Sequence, residues 1–183
     1  MIEENAKKLL YDVADVLESA GLPYFLASGT CLGAIREGKF IEYDKDIDLD
    51  CLWEDFITKV DQIAWGFKRS GIRYEIIDHR HRAEWDGSPY SIKFAKYGEH
   101  GDLSSFKRQG PERTCPSHAS THWVIYPACV LEELDDIEFY GRTFKVPRFS
   151  NQYLGITYGD WKTPNPKDDG MQGTCIVSNY GGV

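Results

Sequence analysis

The segment Asp44-Lys45-Asp46-Ile47-Asp48-Leu49-Asp50 carries four aspartates on one parity, with Ile47, Leu49, Cys51 and Trp53 on the other. Period two predicts a strand over 43–53 with its apolar set turned to a core and its acids aimed together. Same-face neighbours on a strand lie roughly 7 Å apart. Each adjacent carboxylate pair then repels by about 2 kcal/mol at an effective dielectric near 20. Aspartate is also a poor strand former, so its repeated selection asks for a reason. A solvated edge face is the bland reading; a cleft whose charge is balanced by a hard cation is the chemical one. Carboxylate oxygens select Mg²⁺ or Mn²⁺, with Ca²⁺ a further choice. An EF-hand loop does not fit, because Leu49 stands at the glycine position and Asp55 where a Glu is expected.

Upstream lies Ala27-Ser28-Gly29-Thr30-Cys31-Leu32-Gly33-Ala34-Ile35-Arg36. A glycine-containing turn opening a helix presents backbone N–H groups suited to phosphate oxygens. Ser28 and Thr30 add hydroxyls, and Arg36 supplies a cation for a phosphate. Turn and acidic strand together form the two halves of a metal–phosphate site.

These pieces need elements to hold them. An apolar stripe of Leu9, Leu10, Val13, Val16 and Leu17 predicts a helix over 3–20, stopped by Gly21 and Pro23. Tyr24–Leu26 reads as a short buried strand, Ser28–Thr30 as a tight turn, and Cys31–Glu37 as a short helix. Phe56, Val60, Ile63 and Phe67 predict one helix over 54–69, followed by a strand at 72–77. Residues 90–97 and 102–106 read as strands joined by a turn at 98–101, and 137–146 as a second hairpin about Tyr140-Gly141-Arg142. The stretch 79–88 reads as a polar loop and 107–121 as the longest loop. Ser150 is placed to cap a helix running to Tyr158. From about residue 159 a Gly-, Pro- and Asn-rich tail is expected.

Composition narrows the classes. The 183 residues are 42% hydrophobic and 27% charged, which predicts one globular domain over 1–183. A net charge of -8 disfavours a nucleic-acid groove binder. No run is long enough for a membrane span, and the opening MIEENAKKLL has no apolar signal core, so a cytoplasmic location is expected. Five widely spaced cysteines (Cys31, Cys51, Cys115, Cys129, Cys175) predict reduced thiols. Cys115, His118, His122 and Cys129 fit no familiar zinc spacing, and His79-Arg80-His81-Arg82 reads as a solvated loop. Tyr158 and Trp161 are offered two roles, stacking on a ligand or anchoring the tail.

The glycine turn and the acid–apolar–acid strand resemble the nucleotidyltransferase superfamily. Read whole, Phe25 to Ile41 running into Asp44-Lys45-Asp46-Ile47-Asp48-Leu49 resembles the LicD/fukutin family. So do Phe139-Tyr140-Gly141-Arg142, Val146-Pro147, Tyr153-Leu154 and Tyr158-Gly159-Asp160-Trp161-Lys162-Thr163-Pro164. The resemblance implies an α/β (α+β) fold, a nucleotidyltransferase-like mixed β-sheet flanked by helices. It implies transfer of a phosphorylated alcohol, such as phosphocholine or ribitol phosphate, from a CDP-activated donor to a glycan-type hydroxyl, with Mg²⁺ or Mn²⁺. Asp44, Asp46 and Asp48 match the metal-binding triplet, and Ser28, Gly29 and Thr30 the phosphate-side turn. Arg36 joins them at the substrate. Lys45 departs from the acid often found there and, by parity, falls on the opposite strand face. The superfamily's third carboxylate is assigned to Asp102, with Asp78 its rival, so that Asp46, Asp48 and Asp102 form the catalytic set. The alternatives are an NMP-transferring nucleotidyltransferase acting on a small molecule or protein, and a metal-binding module without turnover.

Overall fold

The computed structural model describes residues 1–78, 87–116 and 123–166. Its first half comprises helix α1 (Glu3–Ser19), strand β1 (Tyr24–Leu26), helix α2 (Ser28–Arg36), strand β2 (Ile47–Leu52), helices α3 (Trp53–Phe56) and α4 (Val60–Arg69), and strand β3 (Arg73–Asp78). Strands β4 (Pro89–Lys96), β5 (Glu99–Gln109), β6 (Glu112–Pro116) and β7 (Trp123–Pro127) follow. Helix α5 (Ala128–Glu132), strands β8 (Leu134–Phe139) and β9 (Arg142–Pro147), and helix α6 (Ser150–Tyr158) complete the described chain. The expected α/β class, a mixed sheet flanked by helices, is what the chain adopts.

The main sheet runs β1-β2-β5-β4-β3, with β6 paired to the far end of β5 and β7 paired to β6. Strands β2 and β5 are parallel, and the other neighbours antiparallel. A parallel pair needs a crossover connection, which here holds α3, α4, β3 and β4. Helices α1 and α4 pack on each other and on the sheet. Leu9, Leu10, Val13 and Leu17 of α1 are fully buried in one cluster with Ile47, Leu49, Ile63, Phe67, Ile92 and Leu103.

Several boundaries differ from the sequence reading. Strand β2 starts at Ile47, so Asp44 and Asp46 lie on the segment leading into it rather than on the expected strand from 43. Helix α2 starts at Ser28, so the expected turn at 28–30 is its first turn. The single helix over 54–69 is two, α3 and α4. The turn before β5 takes two residues, Tyr97 and Gly98, both at positive φ, which suits a tight hairpin. Residues 107–116 are hairpin, not loop. The arginines there are paired: Arg113 donates to Glu132 at 2.7 and 2.9 Å and also pairs with Glu54, while Arg108 pairs with Glu132. Ser150 is the first residue of α6 instead of its cap, and its hydroxyl donates to the Pro147 carbonyl.

The β8–β9 hairpin, on which the sequence reading agreed, pins the approach to the acids. Tyr140 Oη accepts the Phe40 N–H at 2.9 Å, and its carbonyl accepts from Tyr11 Oη at 2.6 Å. Arg142 pairs with Asp15 at 2.7 Å and Glu18 at 2.8 Å of α1. The Phe40 ring meets Phe139 edge-on at 5.2 Å. Just beyond, the Asp44 N–H donates to the Ile41 carbonyl at 3.0 Å, and the resulting turn feeds Asp44 toward α2.

Cys31, Cys51 and Cys115 are buried free thiols and Cys129 is an exposed one. His118, His122, Cys175 and the His79–Arg82 cluster fall outside the described residues. No helix among the described residues is long and apolar enough to cross a membrane.

Candidate active site

A cavity of about 530 Å³ opens at the start of α2. Ser28 and Gly29 line it, as do Asp44, Asp46 and Asp48, with Arg36 and Lys45 as its basic groups. Its other wall is Val124 and Tyr126 of β7, Thr157 and Tyr158 of α6, and Asp160 and Trp161 just beyond. The three aspartates thus meet the glycine turn in one pocket although only Asp48 sits on a strand.

Gly29 permits that meeting. A Cβ built there would lie 2.3 Å from Asp44 Oδ2 and 2.8 Å from its Cγ, so any side chain would displace the carboxylate. On the other side the Gly29 N–H donates to Asp48 Oδ2 at 3.3 Å. Two carboxylates therefore flank the N-terminus of α2, where the helix dipole favours negative charge. Asp44 Oδ1 accepts the Lys45 N–H at 3.0 Å, but Asp44 Oδ2 is buried with no hydrogen-bond partner.

The electrostatics follow from crowding. Burial first, and then the neighbouring charge of Asp46, push Asp44 up to about 6. Burial also holds Asp48 well above the usual carboxylate range, reinforced by Asp46, Asp44, Asp50 and Asp102. The Tyr158 hydroxyl is pushed up by burial and by the charges of Asp48 and Asp44, with which it lines the cavity. Among the described residues no three His, Cys, Asp or Glu side chains already stand at ligand distances. The donor set instead suits an ion such as Mg²⁺, which takes one or two carboxylates and fills its sphere with water and substrate phosphate. The orphaned Asp44 Oδ2 is the atom such an ion would satisfy.

The remaining predicted residues take distinct places. Asp102 does not line the cavity, yet it is the register partner of Asp48 on the adjacent strand. Gly101 before it has no room for a side chain, since a Cβ would fall 2.2 Å from the Ile47 carbonyl oxygen. Asp78 lies on β3, three strands from β2, at roughly 4.8 Å per strand, and does not approach the pocket. Thr30 is fully buried and outside the lining; its Oγ1 accepts the Asp48 N–H at 3.0 Å, so it holds the acid-bearing strand. The amides expected to face phosphate are partly engaged, because Ser28 N–H donates to Tyr153 Oη at 2.9 Å. Ser28 sits at φ 41, an uncommon conformation for a residue with a side chain. Arg36 Nη1 donates to the Trp161 carbonyl at 3.1 Å and its Nη2 to Glu37 and Tyr43 at 2.7 and 3.3 Å, while its Nε is buried without a partner. Lys45 does not fall on an opposite strand face: it precedes the strand and shares the cavity with the acids.

Sequence reasoning missed the second wall. Val124, Tyr126 and Thr157 carry no local chemical signal; only the Tyr158–Trp161 block hinted at it. It also passed over Asp50, which shares the parity of Asp48, is buried, and is raised by burial and by Asp102.

Residues 21–149 match the family described as LicD/FKTN/FKRP, nucleotidyltransferase domain. The chain belongs to the LicD/FKTN/FKRP family. Its curated relatives include the human ribitol-5-phosphate transferase FKTN, 27% identical over 92% of this chain and 38% of that protein. The human ribitol 5-phosphate transferase FKRP is 28% identical over 85% of this chain and 31% of that protein. This LicD-family chain therefore spans less than two fifths of the length of the curated relatives it matches. Among solved structures, ANT(2")-Ia in complex with adenylyl-2"-tobramycin shares the fold, with a TM-score of 0.51 and 17% identity, covering 78% of this chain and 69% of that one. Helix α6 and its exit lie beyond the family-matched residues, yet they wall the LicD-family pocket.

Proposed function

We propose that this chain is a metal-dependent transferase that moves a phosphorylated alcohol from a CDP-activated donor to a hydroxyl of a glycan-type acceptor. The observation that carries the reading is the union of Asp44, Asp46 and Asp48 with Ser28 and Gly29 in one pocket. The names of the curated relatives support the alcohol class, both being ribitol-phosphate transferases.

Asp46 and Asp48, with Asp44, would hold Mg²⁺ or Mn²⁺, whose positive charge would offset that of the donor diphosphate. Arg36 and Lys45 bind non-reacting phosphate oxygens, and the Ser28 hydroxyl donates to another. Thr30 fixes the backbone of Asp48 so that the carboxylate does not drift. Asp102 takes the proton of the acceptor hydroxyl, or completes the ligand set beside Asp48. The acceptor oxygen then forms a bond to the donor's alcohol-bearing phosphorus, the bond from that phosphorus to the bridging oxygen breaks, and CMP leaves. Tyr158, Trp161 and Tyr43 supply apolar walls for the nucleoside and exclude water. Catalysis on this scheme is positioning plus charge stabilisation.

The test is a binding screen followed by turnover. CDP-ribitol or CDP-choline with Mg²⁺ should raise the melting temperature and release CMP when an acceptor glycan is added. Stabilisation by ATP or GTP instead, with nucleotide transferred to an acceptor, would replace this reading with the NMP-transferring one. Metal binding without turnover of any nucleotide would leave only the non-catalytic module.

A further inference from the structure

The Ser28 amide carries one hydrogen bond, to Tyr153 Oη at 2.9 Å, and Tyr153 is fully buried in α6. The two residues are 125 positions apart, so this bond ties the first turn of α2 to the last described helix. The ring of Tyr153 has no freedom to let go. It stacks on Tyr126 at 5.1 Å and 27°, and the Tyr126 hydroxyl shares a 2.8 Å bond with Thr157 Oγ1. Thr157 Oγ1 in turn donates to the Tyr153 carbonyl at 2.8 Å. At the other end of the bond, Ser28 holds φ 41, a conformation that a residue with a Cβ keeps only when its surroundings impose it.

We infer that Tyr153 is a positioning residue: its hydroxyl latches Ser28 in the left-handed conformation, which seats Gly29 between Asp44 and Asp48 and turns the Ser28 side chain into the donor pocket. The chain would otherwise relax at Ser28 toward ordinary helical or extended backbone and carry Gly29 off the two carboxylates. The functional half of this inference rests on the proposed transferase activity; the structural half does not.

Tyr153→Phe removes only the oxygen and keeps the stacked ring. Leu154→Ala, at a fully buried neighbour on the same helix, serves as a destabilised control outside the site. Amide hydrogen exchange followed by NMR is expected to show the Ser28 N–H exchanging about tenfold faster or more in Tyr153→Phe, at equal distance from global unfolding, and unshifted in Leu154→Ala. With CDP-ribitol and Mg²⁺, Tyr153→Phe is expected to raise KM about tenfold with kcat within about threefold, whereas Leu154→Ala changes neither. Unchanged Ser28 exchange overturns the latch, and so does a KM shift that Leu154→Ala reproduces at matched stability. If the wild-type chain turns over no CDP-alcohol, the proposed function falls, and the exchange measurement still decides whether Tyr153 holds Ser28.

Discussion

Asp48 and Asp102 are register partners on adjacent parallel strands, so two carboxylates separated by a whole crossover share one face at one level of the sheet. The pairing is built in by the backbone, since Gly101 brings β5 against the Ile47 carbonyl where a side chain would block it. Nearby negative charge contributes to raising Asp48 and Asp50, with Asp102 among the causes for both.

Asp102→Asn is therefore expected to lower kcat by roughly 10²–10⁴-fold, the span of a lost general base. Its apo melting temperature should hold or rise, because one member of a repelling set becomes neutral. Single-turnover CMP release and a thermal melt measure the two effects, and a variant with full turnover would remove Asp102 from the chemistry.

The same electrostatics set a pH dependence. Asp44 titrates near 6 in the fold against an ordinary value of 3.8. A carboxyl raised on folding stabilises the fold below its unfolded pKa, and that contribution is lost as pH rises through its folded pKa. The contribution of Asp44 to apo stability should fall between about pH 4 and about pH 6. Divalent cations compete with the proton, so Mg²⁺ should stabilise increasingly as pH passes 6. Melting curves across pH with Mg²⁺ and with chelator test this; in Asp44→Asn the difference between the two should flatten.

Gly29→Ala separates site from fold. The added methyl meets the end of a flexible acid rather than backbone, and alanine favours a helix over glycine by about 1 kcal/mol. The melting temperature should be kept while apparent Mg²⁺ affinity drops about 10–100-fold, the scale of disturbed metal surroundings. Titration calorimetry with the metal reads the result directly.

Thr30 tests the strand's anchorage. Thr30→Val keeps the shape and strands the Asp48 N–H, which should cost about 1–3 kcal/mol of stability. Thr30→Ser keeps the acceptor and should recover most of it. Chemical denaturation of the three proteins gives the comparison.

Much of this site was legible in the residues themselves. The spacing of the acids and the glycine turn marked residues that the structure brings into one cavity. What misled was period two carried past its end. Alternation through Asp44 and Asp46 looks like strand, but Tyr140 and Phe139 hold Phe40 so that the chain turns at Ile41–Asp44 and joins the sheet only at Ile47. Pairings made by distant residues leave no local trace, which also hid the strands at 107–116 behind Arg108 and Arg113. The roles of Thr30 and Tyr153 were invisible for the same reason, each being defined by a single bond to a remote backbone N–H.

The cavity draws Asp44, Asp46, Asp48 and the glycine turn from residues 28–48 and its far wall, Asp160 included, from residues 124–166. The acidic triplet and the wall facing it thus come from separate stretches of chain. On the proposed transferase reading, exchanges at Val124 or Trp161 would change which donor the pocket admits while leaving Asp44, Asp46 and Asp48 in place.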